Sequence, residues 1–303
     1  MSEVVVRALT ADDLPALAIE VERARAAGEF QASSDPHGSF FLRSIELRSG
    51  GPVAIALDGP DLVGFLSTEF KVIAVRPSLR RRGIGRRLVE IGLGLEAGRG
   101  RPELFVGRAP DDDAGRAFLE ATGFAWHSTL WDLELPPEAR VAAPTWPAGI
   151  AARPFERGRD ARPFMELFNA AFATHATPLQ IDEAALDQPP DPTFEDADTV
   201  VLEEADTAGL VGFCATTPER TDGVVGPHAE IWTIGVRPDR QGRGLGRQLL
   251  RWGVERLRSL GARDVTLSVN SRNEHALELY EREGFVRTST RERWSRPVRG
   301  AVD

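Results

Sequence analysis

The chain is poor in several residue types. Among its 303 residues there is one cysteine (Cys214), one tyrosine (Tyr280), two methionines and one lysine (Lys71), so arginine carries nearly all the positive charge. A single cysteine excludes an intrachain disulfide framework and fits a reducing cytoplasm. No apolar run approaches the length of a membrane span. The N-terminus carries Glu3, Asp12 and Asp13 instead of the basic head and apolar stretch of a secretory signal. A formal net charge of −9 argues against broad binding to nucleic acid or anionic membranes. His37, His127, His228 and His275 show no metal-ligand spacing, so no metal is expected. The scarcity of lysine, Asn, Met and Tyr reads as the genomic bias of a high-G+C bacterium. Nothing in the composition speaks to oligomeric state.

What is present is concentrated in one stretch, Glu230 to Leu250. An apolar strand ending in Val236 runs through Arg-Pro-Asp-Arg-Gln-Gly-Arg-Gly-Leu-Gly (237–246) into an amphipathic helix, with Leu249, Leu250, Val254 and Leu257 at helical spacing. Glycines let the main chain approach a phosphate that side chains would block. The N–H groups of Gly242, Arg243, Gly244, Leu245 and Gly246 open onto the positive end of the helix, a seat for an anion. Arg240, Arg243 and Arg247 add charge-assisted donors. The alternative is a strand–turn–helix junction whose glycines serve the turn alone.

The pattern occurs twice. Val75-Arg-Pro-Ser-Leu-Arg80-Arg81-Arg82-Gly83-Ile84-Gly85 repeats it at an offset of 161, the same offset that relates Gly123-Phe124 to Gly284-Phe285. Leu62-Val-Gly-Phe65 and Leu210-Val-Gly-Phe213 are 148 apart, and Val6-Arg7-Ala8 and Ala152-Arg153-Pro154 are 146 apart. Self-similarity at so long a period means a duplicated domain. About 300 residues suits two domains of ordinary size. The expected division is 1–137, a proline-rich linker at 138–148, and 149–303. Each repeat alternates helices with strands, which gives an α/β class: a mixed sheet flanked by helices, built twice.

The order Gln/Arg-x-x-Gly-x-Gly after a Val-x-Pro strand end resembles the pyrophosphate-binding motif of the GNAT acyl-CoA N-acetyltransferases. The segment Asn273 to Phe285 likewise resembles that family's Asn-x-x-Ala-x-x-x-Tyr-x-x-x-Gly-Phe. The resemblance covers nearly the whole chain and implies two tandem GNAT domains using acetyl-CoA. It implies a cofactor site of Ile234, Val236, Gln241 to Arg247 and Asn273, with a second at Val75 and Arg80 to Gly85. It assigns the thioester carbonyl to a backbone N–H beside a strand bulge, at Val236. An ordinary sheet hydrogen bond is the alternative there.

Acetyl transfer to an amine needs a base for the ammonium and an acid for the leaving thiolate. Glu230 opens the strand, and regular alternation sets it on one face with Trp232 and Ile234. The motif Glu-x-x-x-x-Gly-Val resembles the strand of mycothiol synthases, whose base takes the matching position; a solvated glutamate is the alternative. Tyr280 matches the tyrosine that in the family commonly protonates the coenzyme A thiolate, and a phenol with a pKa near 10 suits that task. An aromatic packed on a helix face is the alternative. Cys214 reads as a core thiol. His175 and Trp232 are acceptor-side candidates, His175 equally a loop residue. The acidic stretch Asp182 to Asp198 would suit a cationic amine but also reads as a solvated loop.

The repeats differ at the chemistry. Tyr280 is answered by Leu119 and Asn273 by Asp112, while Phe65 and Glu69 stand four residues apart where Phe213 and Glu230 are seventeen apart. The first repeat therefore lacks an acid and most of a hairpin, with Glu69 expected in a turn. The reading is an acetyl-CoA-dependent N-acetyltransferase acting on a primary amine of a small molecule or peptide, with the second repeat catalytic. Mycothiol synthase is the narrower alternative, and a non-catalytic acyl-CoA sensor the alternative of another class.

Overall fold

The structure, a computed structural model, describes residues 3–13, 17, 23, 53–68, 71–173, 181, 183, 195–205, 209–221 and 224–298. It contains two compact units. One comprises Met1–Thr129 with Thr290–Asp303, the other Leu130–Ser289. Glu69, His37, His175 and most of the acidic stretch 182–198 lie outside the described residues.

In the N-terminal unit β1 (Val5–Ala8), β2 (Val53–Asp58), β3 (Asp61–Ser67) and β4 (Val72–Val75) form an antiparallel sheet in chain order. Helix α1 (Ile84–Gly98) lays Ile84, Leu88 and Val89 on it. Beyond α1 come β5 (Glu103–Arg108), α2 (Asp113–Ala121) and β6 (Ala125–Leu135). The strand that pairs with β5 comes from the far end of the chain: β12 (Val286–Pro297) runs antiparallel to it, Glu292 against Arg108 through Pro297 against Glu103. Trp294 is buried in this unit's core, and the buried Arg108 pairs with Glu292.

The C-terminal unit is a mixed sheet in the order β6-β11-β10-β9-β8-β7. Its strands are β7 (Ile150–Pro154), β8 (Thr199–Glu204), β9 (Gly209–Thr221), β10 (Val224–Val236), β11 (Asp264–Asn270) and the 130–135 end of β6. Helix α3 (Arg157–Phe172) covers one face with Phe164, Phe168 and Phe172 around Phe213. On the other face lie α4 (Leu245–Ser259) and α5 (Glu274–Arg282). Leu245, Leu249, Leu250, Val254 and Leu257 of α4 are all buried. At about 1.5–3 kcal/mol each, that stripe fixes the helix on the sheet. Cys214 is a core thiol here, and its complete burial pushes its pKa up.

Each unit is thus a mixed α/β arrangement flanked by helices, as the duplicated pattern predicts. The exchange of last strands is not visible in the repeat pattern: by sequence β6 ends the first repeat and β12 the second. The stretch 138–148 is fastened within the C-terminal unit. Arg258 donates to the carbonyls of Ala139 (2.7 Å) and Pro136 (3.3 Å), and Thr145 N–H to Gln248 (2.7 Å).

Both units tie their first strand to the following turn or helix by the same pair. Arg7 grips Asp13 (2.6 and 2.5 Å) as Arg153 grips Asp160 (2.6 and 2.7 Å). Burial alone would raise the Asp160 carboxyl, but the Arg153 guanidinium holds it below the usual range.

Candidate active site

The opening between β10 and β11 organises the C-terminal site. The two strands are parallel neighbours only from His228–Asp264 to Glu230–Thr266, and β10 then continues for six residues to Val236 without β11 beside it. Arg237 N–H donates back to Val211 O (2.9 Å). Strand alternation therefore turns the Val236 N–H to the opposite edge, into the opening. The Val236 carbonyl is taken by the side chain of Gln241 (3.2 Å).

Regular alternation along β10 does not hold. Its register with β9 slips between Ile231–Thr216 and Thr233–Ala215, which makes Trp232 the bulged residue. Before the bulge Glu230 pairs with Thr217, on the face where Trp232 stacks over Phe168 (6.4 Å). After it Ile234 and Val236 pack with the α4 core, on the other face. Ile234 therefore does not share a face with Glu230 and Trp232, and the bulge lies four residues before Val236. Gly235 is required by close packing: a Cβ there would stand 2.2 Å from the Phe213 ring.

At the strand end the turn is built from positive-φ residues. Gly242 and Gly244 have φ of 75° and 81°, and Gly244 caps α4 with no side chain bonded to the first-turn amides. A Cβ at Gly242 or Gly244 would meet nothing within 4 Å. Among the described residues no acceptor takes the amides of the first turn, which fits an anionic group. Gln241 braces this loop through its bond to Val236 O. Arg240 is also committed, to Glu204 (2.7 Å) and Asp239 (2.6 Å). Arg243 (59% exposed) and Arg247, 3.3 Å from Glu283, lie nearer solvent. Glu204 and Glu283, which set these arginines, were not among the sequence candidates, since a lone glutamate carries no pattern.

Helix α5 begins at Asn273, whose side chain accepts from Ala276 N–H (3.2 Å). The asparagine is an N-cap, and its amide NH2 is left for another partner. Tyr280 sits on α5, partly buried against the α4-side core, its ring tilted against that of Phe285 (6.2 Å). Burial raises its phenol pKa above the ordinary range, with Cys214 a lesser contributor, so it stays protonated. Glu230 and Tyr280 therefore lie on opposite faces of the sheet.

The N-terminal unit repeats the scaffold. Arg80 Nε donates to Val75 O (3.0 Å) as Gln241 does to Val236 O, and Arg81 and Gly83 take positive φ (64° and 78°). Arg82 is exposed, Ile84 is buried, and Gly83 caps α1. Gly85 lies under Phe118, where a Cβ would approach to 3.0 Å. Asp112 caps α2 by accepting from Gly115 N–H (2.8 Å), and Leu119 is buried at the position of Tyr280. β4 has four residues where β10 has thirteen, the shortened hairpin expected.

The model of the Acetyltransferase (GNAT) family matches residues 162–285. The chain is 34% identical over 256 residues to the mycothiol acetyltransferase of Thermobispora bispora, covering 80% of this chain and 84% of that one. The chain belongs to the GNAT family of acetyltransferases. Over 218 residues it is 36% identical to the mycothiol acetyltransferase of Actinosynnema mirum, 71% of this chain and 70% of that one. Among solved structures it is similar to a tandem GNAT protein from the clavulanic acid biosynthesis pathway (TM-score 0.65, 20% identity, 99% of this chain and 100% of that one). A GCN5-related N-acetyltransferase from Sphaerobacter thermophilus is also similar (TM-score 0.63, 23% identity, 99% and 97%). The fold is accordingly two tandem GNAT domains. This GNAT chain is an acyltransferase.

Proposed function

We propose that this chain is a mycothiol-type acetyltransferase. Its C-terminal unit moves an acetyl group from acetyl-CoA to the cysteinyl amine of a glucosaminyl-inositol thiol. The narrower acceptor is favoured over a general amine by the similarity to mycothiol acetyltransferases, which runs through both units. The chemistry is supported by Glu230 at the last residue of the β10–β11 pairing and by Tyr280 on a helix packed against the other face of that sheet.

The unused amides of Gly244, Leu245 and Gly246 would hold the cofactor's pyrophosphate, with Arg243 and Arg247 as outer cations. Acetyl-CoA supplies the acyl thioester. The Val236 N–H is aimed where the carbonyl oxygen gains charge, the large electrostatic contribution in acyl transfer. Glu230 takes a proton from the acceptor ammonium, directly or through a water. The freed nitrogen attacks the carbonyl carbon, the C–S bond breaks as Tyr280 gives its phenolic proton to the departing sulfur, and the second proton of the acylated nitrogen passes to solvent, from which the phenolate is reprotonated. A phenol kept neutral by burial keeps the proton for that donation throughout the physiological range. The N-terminal unit has the loop without the acid, and we assign it a binding role only.

The test is acetyl-CoA turnover with the cysteinyl glucosaminyl-inositol thiol against simple primary amines. A preference in kcat/KM of at least about 10²-fold is expected, because a site built for hydroxyl-rich ligands rejects acceptors lacking them. Equal turnover of all amines would return the reading to a general N-acetyltransferase. Binding of acetyl-CoA without turnover of any amine would favour a sensor.

A further inference from the structure

The strand exchange carries one carboxylate of the first repeat onto the acceptor face of the second. Glu134 on β6 is in register with Thr266 on β11, and Thr266 with Glu230 on β10. In-register neighbours share a face. Glu134 and Glu230 therefore stand in one row across the sheet, two strand spacings or about 10 Å apart. The face is open at this point: Ser268 is exposed, and Trp232 is 55% exposed.

Glu134 differs from the polar groups around it. Asp132, one row along, accepts from Ser268 (2.7 Å) and Ser289 (2.5 Å). The counterpart of Glu134 in the N-terminal unit, 161 residues on, is Ser295, which donates to Glu103 (2.9 Å). Glu134 is half-buried, yet among the described residues no hydrogen bond or ion pair engages it. A carboxylate partly withdrawn from water without a donor is costly, and a cationic or hydrogen-bonding ligand removes that cost.

We propose that Glu134 is an acceptor-positioning residue of the C-terminal site. It binds a second hydrogen-bond-donating group of the acceptor, about 10 Å from the nitrogen to be acetylated. The proposal rests on reading the β10–β11 opening as the acyl-transfer site, and it adds a specificity residue drawn from the other repeat. It requires an elongated polar acceptor, anchored at both ends of the row from Glu230 to Glu134.

Hexamethylenediamine and hexylamine probe this directly on the full chain. The diamine should show a KM about tenfold below that of the monoamine, the scale of one charge-assisted hydrogen bond. Glu134→Gln should bring the two together, with kcat and the KM for acetyl-CoA unchanged. Calorimetry of both amines with the coenzyme A-loaded protein gives a readout that needs no turnover. Loss of diamine preference in Glu134→Gln by calorimetry, with no amine acetylated, would uphold the role of Glu134 and reject the acetyl-transfer reading. A diamine preference that survives Glu134→Gln, or is absent from the wild type, overturns the proposal.

Discussion

In the C-terminal unit the loop bends at Gly242 and Gly244, and in the N-terminal unit at Arg81 and Gly83, with nearly the same backbone angles. The brace survives too, Gln241 to Val236 O in one and Arg80 to Val75 O in the other. The side chains that would act on a thioester differ: Leu119 is buried where Tyr280 stands, and Glu69, the counterpart of Glu230 by the same offset, precedes β4, which begins at Val72. An anion loop works through backbone donors and helix polarity, so it persists under changes of side chain that abolish proton transfer. The two units share the loop geometry and differ in the side chains around it.

The strand exchange gives the sharpest way to break this comparison. A chain ending at Ser289 loses β12 beyond that point, including the buried Trp294, from the N-terminal unit. Loss of the tryptophan alone costs about 3–5 kcal/mol. Calorimetry should show the N-terminal unit melting first while the C-terminal unit keeps its acetyl-CoA-dependent transition. Damage confined to the C-terminal unit would mean that the last strand belongs to its own repeat.

Next in size is the acid. Tyr280→Phe should lower kcat by about 10²-fold with little change in acetyl-CoA affinity, and Leu119→Tyr in the other unit should not restore it. Because burial raises the folded phenol pKa, the protonated acid is lost only as pH rises through that raised value. The wild-type kcat should therefore stay level past the ordinary phenol range near about 10. A kcat of the phenylalanine variant equal to wild type would remove Tyr280 from the mechanism.

The matched Arg–Asp pairs differ in burial, and so should their variants. Asp160→Asn breaks a pair buried at 2% and 17% exposure and should cost about 3 kcal/mol. Asp13→Asn, facing an Arg7 that is 39% exposed, should cost about 1 kcal/mol after screening by solvent. Hydrogen bonding from arginine depresses the folded pKa of both carboxyls. Their stabilisation is thus present above the unfolded value near about 3.9 and disappears as pH falls through the folded one. Denaturant titrations at neutral pH and in acid measure both; equal losses would show that burial does not separate the units.

The smallest effects concern the loops themselves. Gly244→Val and Gly83→Val each force a side chain into positive φ, about 1–2 kcal/mol of strain. Only Gly244→Val should weaken acetyl-CoA turnover. Loss of turnover in Gly83→Val with Gly244→Val active would reverse which half does the work.

Much of this was legible from residues alone. The offsets of 161 residues located both loops, both N-capped helices and the substitution of leucine for tyrosine, because each depends on local backbone chemistry read in order along the chain. Glu230, Tyr280 and the loop glycines of the candidate site were named from the sequence. The site was not legible where two distant segments meet: Arg240 turns to Glu204 instead of outward, and the bulge at Trp232 puts Ile234 on the other face. A bulge shifts a strand by one residue, and nothing in a strand of alternating residues marks which one.

The sequence by itself determined the duplication, the two glycine-bearing loops, the buried core stripes and the half that carries a tyrosine. These rest on glycine φ freedom, helical spacing and residue identity, all of them properties of short stretches. Only the tertiary structure decided which repeat each last strand completes, and so which carboxylates share a face with Glu230. Pairing β12 with β5 and β6 with β11 is settled by long-range backbone hydrogen bonds and by the burial of Trp294 and Leu133, and no local pattern records a strand's distant partner.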